Sequence, residues 1–253
     1  MAKNNHSGAD HKIKLDNLLC IEEGREDISG LESVLAYAEA LARIEKVVVV
    51  VSDMGGRKSH IVAGGFVSSL GLTEYRQENS IWESRILSLM PVAELNEKFI
   101  SELRFFHYIK RVPEKRRQDY CLVSKLRMLF TDGNLHDVLH KMFYIFDDDN
   151  ETVRYAICTY GPLTFGFNGR AYAVDSITGV AEELTTSADE SILSPREKQV
   201  VSLIDKGMKS REIASFLNIS IHTVNRHRQE IISKLKVRNA IQACRIAKSM
   251  ALI

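Results

Sequence analysis

The feature that most constrains the fold is a group of helix signals near the end of the chain. Residues 194–197 are Ser-Pro-Arg-Glu, where the serine can cap a helix, the proline suits its first position and the glutamate completes a capping box. Apolar residues follow at helical spacing, and Gly207 can end the helix. A second helix is predicted over Ser210–Leu217, and a tight turn at 218–220 leads into a third over 221–235. Helices joined by so short a turn predict an all-α helix-turn-helix unit.

The third predicted helix carries an apolar stripe and an opposite stripe that is polar, hydrogen-bonding and without acid. The apolar stripe consists of Val224, Ile231 and Leu235. The polar stripe consists of His222, Arg226, Gln229 and Ser233. A recognition helix needs this arrangement, because one side packs on its domain and the other enters the major groove of DNA. We expect Arg226 to contact guanine and Gln229 to contact adenine. Asn225 is expected to reach a base or a phosphate from the flank, and His222 a base. An amphipathic helix with a solvated face is the alternative.

Charge separates the two ends of the chain. Residues 193–253 contain 12 Lys and Arg against 4 Asp and Glu, a net +8, whereas residues 1–192 contain the other 22 against 29, a net −7. A basic module joined to an acidic one indicates that only the C-terminal part meets a polyanion. Basic side chains around the third helix are expected to contact phosphates, with a solvated surface role as the equal alternative for each one singly. They are Lys209, Arg211, Arg228, Lys234, Lys236 and Arg238.

Short motifs follow one another in the last sixty or so residues. They are Leu193-Ser-Pro-Arg-Glu, Gly207, Glu212-Ile-Ala, Leu217-x-Ile-Ser, Thr223-Val-x-x-His, Lys234-Leu-x-Val and Ala251-Leu-Ile. With these motifs the segment closely resembles the LuxR/GerE-type helix-turn-helix family. The resemblance implies a four-helix DNA-binding domain, usually dimeric, whose last helix, at about 240–250, contacts its twin. It also implies that Asn225, Arg226 and Gln229 face bases, and that Thr223 and nearby basic residues face phosphates.

Two positions depart from the family pattern. Asn225 stands where the family usually has lysine, which changes the expected base preference or a phosphate contact. Lys236 stands where the family usually has glycine after the recognition helix. If the backbone there keeps a positive φ, a residue with a Cβ costs on the order of 1 kcal/mol, unless the cap differs or neighbouring contacts offset it. His227, nearer the inner edge of the helix, is expected to be packed or hydrogen-bonded within the domain.

The N-terminal region combines strand signals with short helices. The predicted helices cover 31–44, 66–70, 82–89 and 92–110, and the predicted strands cover 46–52, 60–63, 120–130, 135–146, 153–160 and about 170–177. Turn residues such as Asp132-Gly133-Asn134 join the later strands, which predicts an antiparallel meander. Two strands, several helices and a meander in this order resemble a PAS-type sensory fold. The predicted fold class is therefore an α+β N-terminal domain followed by an all-α C-terminal domain.

PAS-type domains often hold a ligand between helices and sheet and often dimerise, so the resemblance implies a small-molecule ligand whose identity the sequence does not specify. Five side chains are candidates for such a site: Trp82, His107, Cys121, His136 and His140. For each of them a core or surface role is the stronger interpretation. His136 and His140 share a face of one predicted strand, but two histidines without a third ligand do not make a metal site. We therefore predict no metal site, and no cofactor motif is identifiable.

Composition places the domain boundaries. We predict a disordered leader at 1–16, a PAS-like sensory or dimerisation domain at 17–178, a Thr/Ser/Glu-rich linker at 179–192 and the helix-turn-helix domain at 193–253. The longest apolar run, at 47–51, is too short to cross a bilayer, and the N-terminus has no apolar segment typical of a signal peptide. A cytoplasmic protein without a membrane partner is expected.

These features predict a dimeric, sequence-specific DNA-binding transcription regulator, not an enzyme, that is controlled by a signal or partner at its N-terminal domain. The expected partners are double-stranded DNA, a second copy of the chain and RNA polymerase. Two alternatives stay open, a response-regulator-like protein and an adaptor whose N-terminal domain mainly dimerises or binds a protein. The run at 47–51 followed by Asp53 resembles a first phospho-receiver strand, but the acidic pair and the βα repeats of that fold are missing. The spacing at 55–59 does not fit a phosphate-binding loop.

Overall fold

An antiparallel sheet organises the N-terminal region, and four helices form the C-terminal region. The computed structural model describes residues 12, 15, 19, 28–147, 152–185, 193–235, 239–249 and 252–253. The helices are α1 (Ile28–Glu45), α2 (Val67–Leu70), α3 (Ser84–Leu87), α4 (Val92–Arg111), a 3-10 turn (Glu114–Asp119), α5 (Pro195–Asp205), α6 (Ser210–Leu217), α7 (Ile221–Lys234) and α8 (Ala240–Ser249). The strands are β1 (Val48–Asp53), β2 (Lys58–Ala63), β3 (Gln77–Glu78), β4 (Tyr120–Leu129), β5 (Leu135–Phe146), β6 (Val153–Pro162), β7 (Ala171–Asp175) and β8 (Ala181–Glu183).

The eight strands lie in the order β3-β2-β1-β6-β5-β4-β7-β8, and each neighbouring pair is antiparallel. Strands β4, β5 and β6 form the predicted meander. Its first turn has Gly133 at φ +80°, and the N–H of Phe130 donates to the carbonyl of Asn134 at 2.9 Å. Strand β1 closes against β6, so the first hairpin lies beside the last strand of the meander. The antiparallel pairing excludes the parallel sheet of a phospho-receiver and confirms the predicted α+β class.

Both faces of the sheet are covered, which explains the uninterrupted β-branched run of β1. Val49 and Val51 lie on the face packed by α1, together with Ala38 and Ala42 of that helix. Val48 and Val50 belong to the larger core on the opposite face, which includes α4. All four valines are fully buried, and each stabilises the fold by roughly 1.5–3 kcal/mol relative to an exposed side chain.

Three features of the N-terminal region differ from the sequence prediction. Leu15, inside the leader expected to be disordered, is helical and 0% exposed. Strand β8 pairs with β7 inside the stretch 179–192 predicted as linker, so the sheet extends past residue 178. The two-residue strand β3 was not predicted. All three depend on contacts with distant segments, and none has a periodic apolar pattern long enough to be recognised locally.

The C-terminal helices α5 to α8 pack on one another around a shared apolar core, as the four-helix prediction required. The buried side chains of this core are Val200, Val201, Ile213, Ala214, Val224, Ile231, Leu235, Ala243 and Ala247. Lys248 of α8 also pairs with Asp205 of α5 at 2.8 Å. Among the described helices of the whole chain, none combines the length and apolar character that crossing a bilayer requires.

Candidate DNA-binding surface

The first C-terminal helix begins with the predicted capping box. The N–H of Glu197 donates to Oγ of Ser194 at 3.3 Å, and the N–H of Ser194 donates to Oε2 of Glu197 at 2.6 Å. Pro195 occupies the first helical position, where its missing N–H has no cost. Both halves of the box satisfy backbone groups that a helix start would otherwise leave unpaired.

Glu197 also joins the start of α5 to the end of α7. The Glu197 residue is 1% exposed, and its Oε2 lies 2.7 Å from Nζ of Lys234. Burial alone would raise the pKa of the Glu197 carboxyl, but the Lys234 ammonium and the Ser194 N–H hold that pKa below its usual value. The two helices are therefore fixed to each other by a buried carboxylate that stays charged.

The connection between α6 and α7 has the geometry of a helix-turn-helix. Asn218 adopts a left-handed conformation, with φ 52° and ψ 48°, and so ends α6. The N–H of Ile219 donates to the carbonyl of Ala214 at 3.0 Å. Ser220 then caps α7, because its Oγ accepts the N–H of Thr223 at 3.0 Å. The predicted turn at 218–220 is confirmed, and it sets the direction in which α7 leaves α6.

Helix α7 divides into a buried and an exposed side. Val224 and Ile231 are buried, as is Leu235 directly after the helix. The four side chains predicted to contact bases are all exposed on the other side, namely His222, Asn225, Arg226 and Gln229. The structure thus brings these four together on one accessible surface, which we call the reading face. It offers guanidinium, amide and imidazole groups, the chemistry that hydrogen-bonds base edges in a major groove.

One acidic residue borders the reading face, and sequence reasoning missed it. Nε of Arg226 donates to Oε1 of Glu230 at 2.8 Å, and this hydrogen bond lowers the pKa of the Glu230 carboxyl. The i,i+4 spacing of the two residues was the available signal. His227, expected to be packed or hydrogen-bonded within the domain, is half-buried, with Nδ1 3.4 Å from Oε2 of Glu230.

The side chains predicted to contact phosphates divide into three groups. Lys209 and Arg211 are exposed near the start of α6, whereas Thr223 and Arg228 are half-buried on α7. Lys234 is different, because its ammonium is held by Glu197 and any phosphate would have to compete with that carboxylate. Lys236 and Arg238 lie outside the described residues, and so does the predicted non-glycine cap at position 236.

The five candidate ligand residues of the N-terminal region are dispersed. Trp82 is buried edge-to-face against Phe99, and Cys121 is buried in β4. His107 is buried in α4, where burial and then the nearby Arg111 lower its pKa to about 4. His136 and His140 share one face of β5, but only His140 is buried in the core. His136 is exposed, and its Nε2 is hydrogen-bonded to Oδ2 of Asp132 at 2.7 Å. Burial, together with Lys98, lowers the pKa of His140 well below its usual value.

Comparison with protein families locates the similarity in the C-terminal region. Residues 191–247 match the family model described as "GerE: Bacterial regulatory proteins, luxR family". The chain is similar to the transcriptional activator protein EsaR of Pantoea stewartii subsp. stewartii, with 37% identity over 92 residues, 36% of this chain and 37% of that one. It is also similar to the tetrathionate response regulatory protein TtrR of Salmonella typhimurium, with 32% identity over 82 residues, 32% of this chain and 39% of that one. The matches thus span less than two fifths of these relatives' own lengths.

Solved structures align over more of the chain but only loosely. The phage VqmA–DPO complex aligns over 88% of both chains, with 13% identity and a TM-score of 0.36. The Vibrio cholera VqmA–ligand–DNA complex aligns over 87% of both chains, with 16% identity and a TM-score of 0.32. Superpositions this loose carry no conclusion about the N-terminal region.

Proposed function

Because residues 191–247 match the family model of the luxR family of bacterial regulatory proteins, we propose that the chain is a sequence-specific DNA-binding transcription regulator that acts as a homodimer. The observation that carries the proposal is the reading face of α7. Its four exposed polar side chains stand opposite a fully packed apolar side, on a helix fixed by caps and by the Glu197–Lys234 pair. A helix held this rigidly presents its side chains at defined positions, which sequence recognition requires.

In this proposal α7 enters the major groove. Arg226 donates two hydrogen bonds to O6 and N7 of guanine, and Gln229 bonds bidentately to adenine. Asn225 and His222 contact bases at the two flanks. Phosphates are contacted by Thr223, Arg228, Lys209 and Arg211, which fixes the register of the helix but carries no sequence information. Six or more such contacts would make binding fall steeply with salt.

Dimerisation follows from the same proposal. Two copies related by a twofold axis bind two half-sites about one helical turn apart, so the operator is an inverted repeat. Helix α8 is the proposed contact between the two DNA-binding domains, and Ile241 on that helix is exposed to 67%. The site of action is the cytoplasm, where bacterial DNA and RNA polymerase are found, and RNA polymerase is the proposed further partner.

The N-terminal domain supplies the input in this proposal. A layer of helices on an antiparallel sheet, with a small cavity of about 20 Å³ between them, supports a sensory role. The signal sets the spacing of the two C-terminal domains and hence the affinity for the operator. An adaptor role, in which the N-terminal domain only dimerises or binds a protein, is the second hypothesis.

Selection of bound duplexes from a random library with the full-length protein tests the proposal. The expected result is enrichment of a short inverted repeat with two G-containing half-sites, bound two chains at a time. Enrichment of a single asymmetric half-site would contradict the homodimer. Absence of any enriched sequence, with weak binding that disappears at raised salt, would favour the adaptor hypothesis.

A further inference from the structure

A buried cluster of charged side chains lies between α4 and the sheet of the N-terminal domain. Glu83, Lys98 and Glu102 are each at most 3% exposed. Nζ of Lys98 lies 2.6 Å from Oε1 of Glu102 and 3.5 Å from Oε1 of Glu83. Ionised groups this deep in a core are costly to bury, and groups of this kind cluster at functional sites.

Three potential metal ligands converge at this cluster. The ligand atoms of Glu102 on α4, His140 on β5 and Cys158 on β6 all lie within 4.8 Å of one another, and all three residues are buried. We propose that Glu102, His140 and Cys158 form a binding site for a divalent transition metal ion of the zinc class. A carboxylate oxygen, an imidazole nitrogen and a thiolate sulfur are together the donor set of such ions, and the sulfur disfavours magnesium and calcium.

The surroundings of His140 match those of a metal-binding histidine. Its Nδ1 lies 3.0 Å from Oγ of Ser124, and its Nε2, with no accessible surface, has no hydrogen-bond partner among the described residues. Nε2 lies 3.8 Å from Oε1 of Glu102. When Nδ1–H donates to the serine hydroxyl, Nε2 presents its lone pair toward the other two ligands. A second hydrogen bond of this kind is the usual way in which proteins orient a ligating imidazole.

Formal charge favours a divalent ion at this place. Without an ion, and with both carboxyls ionised, two carboxylates and one ammonium leave the cluster with one net negative charge. Binding converts the Cys158 thiol to a thiolate, and the thiol proton is released to solvent. With the thiolate and an ion of charge +2 added, the cluster becomes neutral. Lys98 remains beside Glu83, which offsets the repulsion between the ammonium and the ion.

The fourth ligand position has room for a water molecule. A cavity of about 20 Å³ lies beside the cluster, and Glu102, Cys158, Lys98 and Tyr144 are among the residues that line it. That volume holds about one water. The hydroxyl of Tyr144 is buried without a hydrogen-bond partner among the described residues, so it is available to bond a water on the ion. Three protein ligands and one water complete a tetrahedral site.

A second group of ligand atoms, in the C-terminal domain, does not have these properties. Glu197, His227 and Glu230 also lie within 4.8 Å of one another. However, Glu197 is already bound by the capping box and by Lys234, and Glu230 is bound to Arg226. Glu102 is paired with Lys98 in the same way, and His227 Nδ1 also lacks a hydrogen-bond partner among the described residues, so partners alone do not separate the two groups. The difference is that His227 and Glu230 are only half-buried and the group has no sulfur ligand, whereas all three residues of the group at His140 are buried and one is a cysteine.

The test is the metal content and spectrum of the full-length protein produced in cells supplied with zinc or with cobalt. We expect about one zinc ion per chain, and for the cobalt form a sulfur-to-cobalt charge-transfer absorption in the near ultraviolet with the visible bands of a tetrahedral ion. His140→Gln, Cys158→Ser and Glu102→Gln are expected to abolish stoichiometric binding. Ser124→Ala should weaken zinc affinity by about tenfold or more, because it removes only the orienting hydrogen bond.

Matched controls separate the site from general effects of altering the core. Cys121→Ser and His107→Gln remove a second buried thiol and a second buried imidazole, and both are expected to keep the full metal content. Circular dichroism shows whether each variant is folded. If a variant of a direct ligand does not fold, Ser124→Ala takes its place in the comparison. A folded wild-type protein without stoichiometric metal would overturn the proposal. Equal metal content in the wild type and in folded His140→Gln or Cys158→Ser would overturn it too.

Discussion

Arg226 and Glu230 form a hydrogen-bonded pair one helical turn apart on α7, with 2.8 Å between Nε and Oε1. The Arg226 side chain is 78% exposed, so the pair lies open on the reading face. A guanine that binds Arg226 must compete with this carboxylate or share the guanidinium with it. Glu230 therefore holds the Arg226 guanidinium in the free protein, and in the proposed complex its negative charge would oppose the polyanionic duplex.

Glu230→Gln is expected to tighten DNA binding about two- to fivefold, since an exposed pair of this kind is weak and one repulsive charge is removed. The measurement is a binding titration of the full-length protein on its selected operator at fixed salt. Asp205→Asn is the matched control, because it removes the same charge from α5, where Asp205 pairs with Lys248. Equal effects of the two variants would show that only net charge matters and that Arg226 is not restrained.

Loss of the Lys234 ammonium should loosen α5 from α7. Lys234→Met is expected to destabilise the C-terminal domain by about 1 kcal/mol, because the buried carboxylate of Glu197 loses its charged partner. The cost is modest because Lys234 is half-exposed and solvent screens the pair. Hydrogen exchange of the α5 amides in the full-length protein measures the local opening. Lys248→Met breaks the more exposed pair with Asp205 and should change exchange less. A larger change in exchange for Lys248→Met than for Lys234→Met would contradict the structural role of Glu197.

Acid should weaken the same contact. The pKa of Glu197 is lowered in the folded chain from the ordinary 4.5, so its contribution to stability is complete above pH 4.5 and is lost as the pH falls below that value. We expect the opening free energy of α5 to drop as the pH falls below about 4.5, after correction for intrinsic exchange. Glu197→Gln should flatten this drop. If the pH dependence were unchanged in that variant, the drop would have to come from another titrating group.

The left-handed backbone of Asn218 predicts a specific pair of substitutions. Asn218→Ala should destabilise the C-terminal helices by about 1 kcal/mol, because alanine lacks the short polar side chain that lets asparagine tolerate the left-handed conformation at φ 52°. Asn218→Gly should be neutral or slightly stabilising, since glycine adopts that conformation without strain. Thermal unfolding followed by circular dichroism compares the two variants with the wild type. If alanine and glycine behaved alike, the turn would not depend on positive φ.

Lys98→Met should destabilise the N-terminal domain strongly, by about 3–5 kcal/mol, because it leaves two buried carboxylates without their ammonium. Urea unfolding followed by the fluorescence of Trp82, the single tryptophan, measures the change. Lys115→Met, on the exposed side of the 3-10 turn, is the control and should leave the midpoint unchanged. A wild-type midpoint for Lys98→Met would show that the ammonium does not stabilise the cluster.

The C-terminal domain was predictable because its signals are local. Ser194 and Glu197 are three residues apart, and the caps and the apolar stripe of α7 each repeat within one or two helical turns. The pair between Glu197 and Lys234 was not predictable, since 37 residues separate its members. For the same reason the sequence did not reveal that Lys234 pairs with a buried carboxylate, and its contact with a phosphate stays a prediction.

The N-terminal sheet was predictable where its strands are long and joined by turn residues. Strands β3 and β8 have two and three residues, too few for a period to be recognised. Leu15 is buried by contacts with segments far away in sequence, which cannot be recognised locally. Its neighbours in sequence are mostly polar, and they suggested a disordered leader. Glu102, His140 and Cys158 belong to three separate elements, and only the packing of α4 on the sheet brings them together.

The most direct test of the central claim compares Arg226→Ala with Arg211→Ala on the selected operator and on a duplex changed at the guanine, each at two salt concentrations. If α7 reads bases, Arg226→Ala costs about 1–3 kcal/mol on the operator and much less on the changed duplex, with an unaltered salt dependence. Arg211→Ala then weakens binding to both duplexes equally and reduces the salt dependence. Equal loss on both duplexes for Arg226→Ala, with a reduced salt dependence, would contradict base recognition by α7.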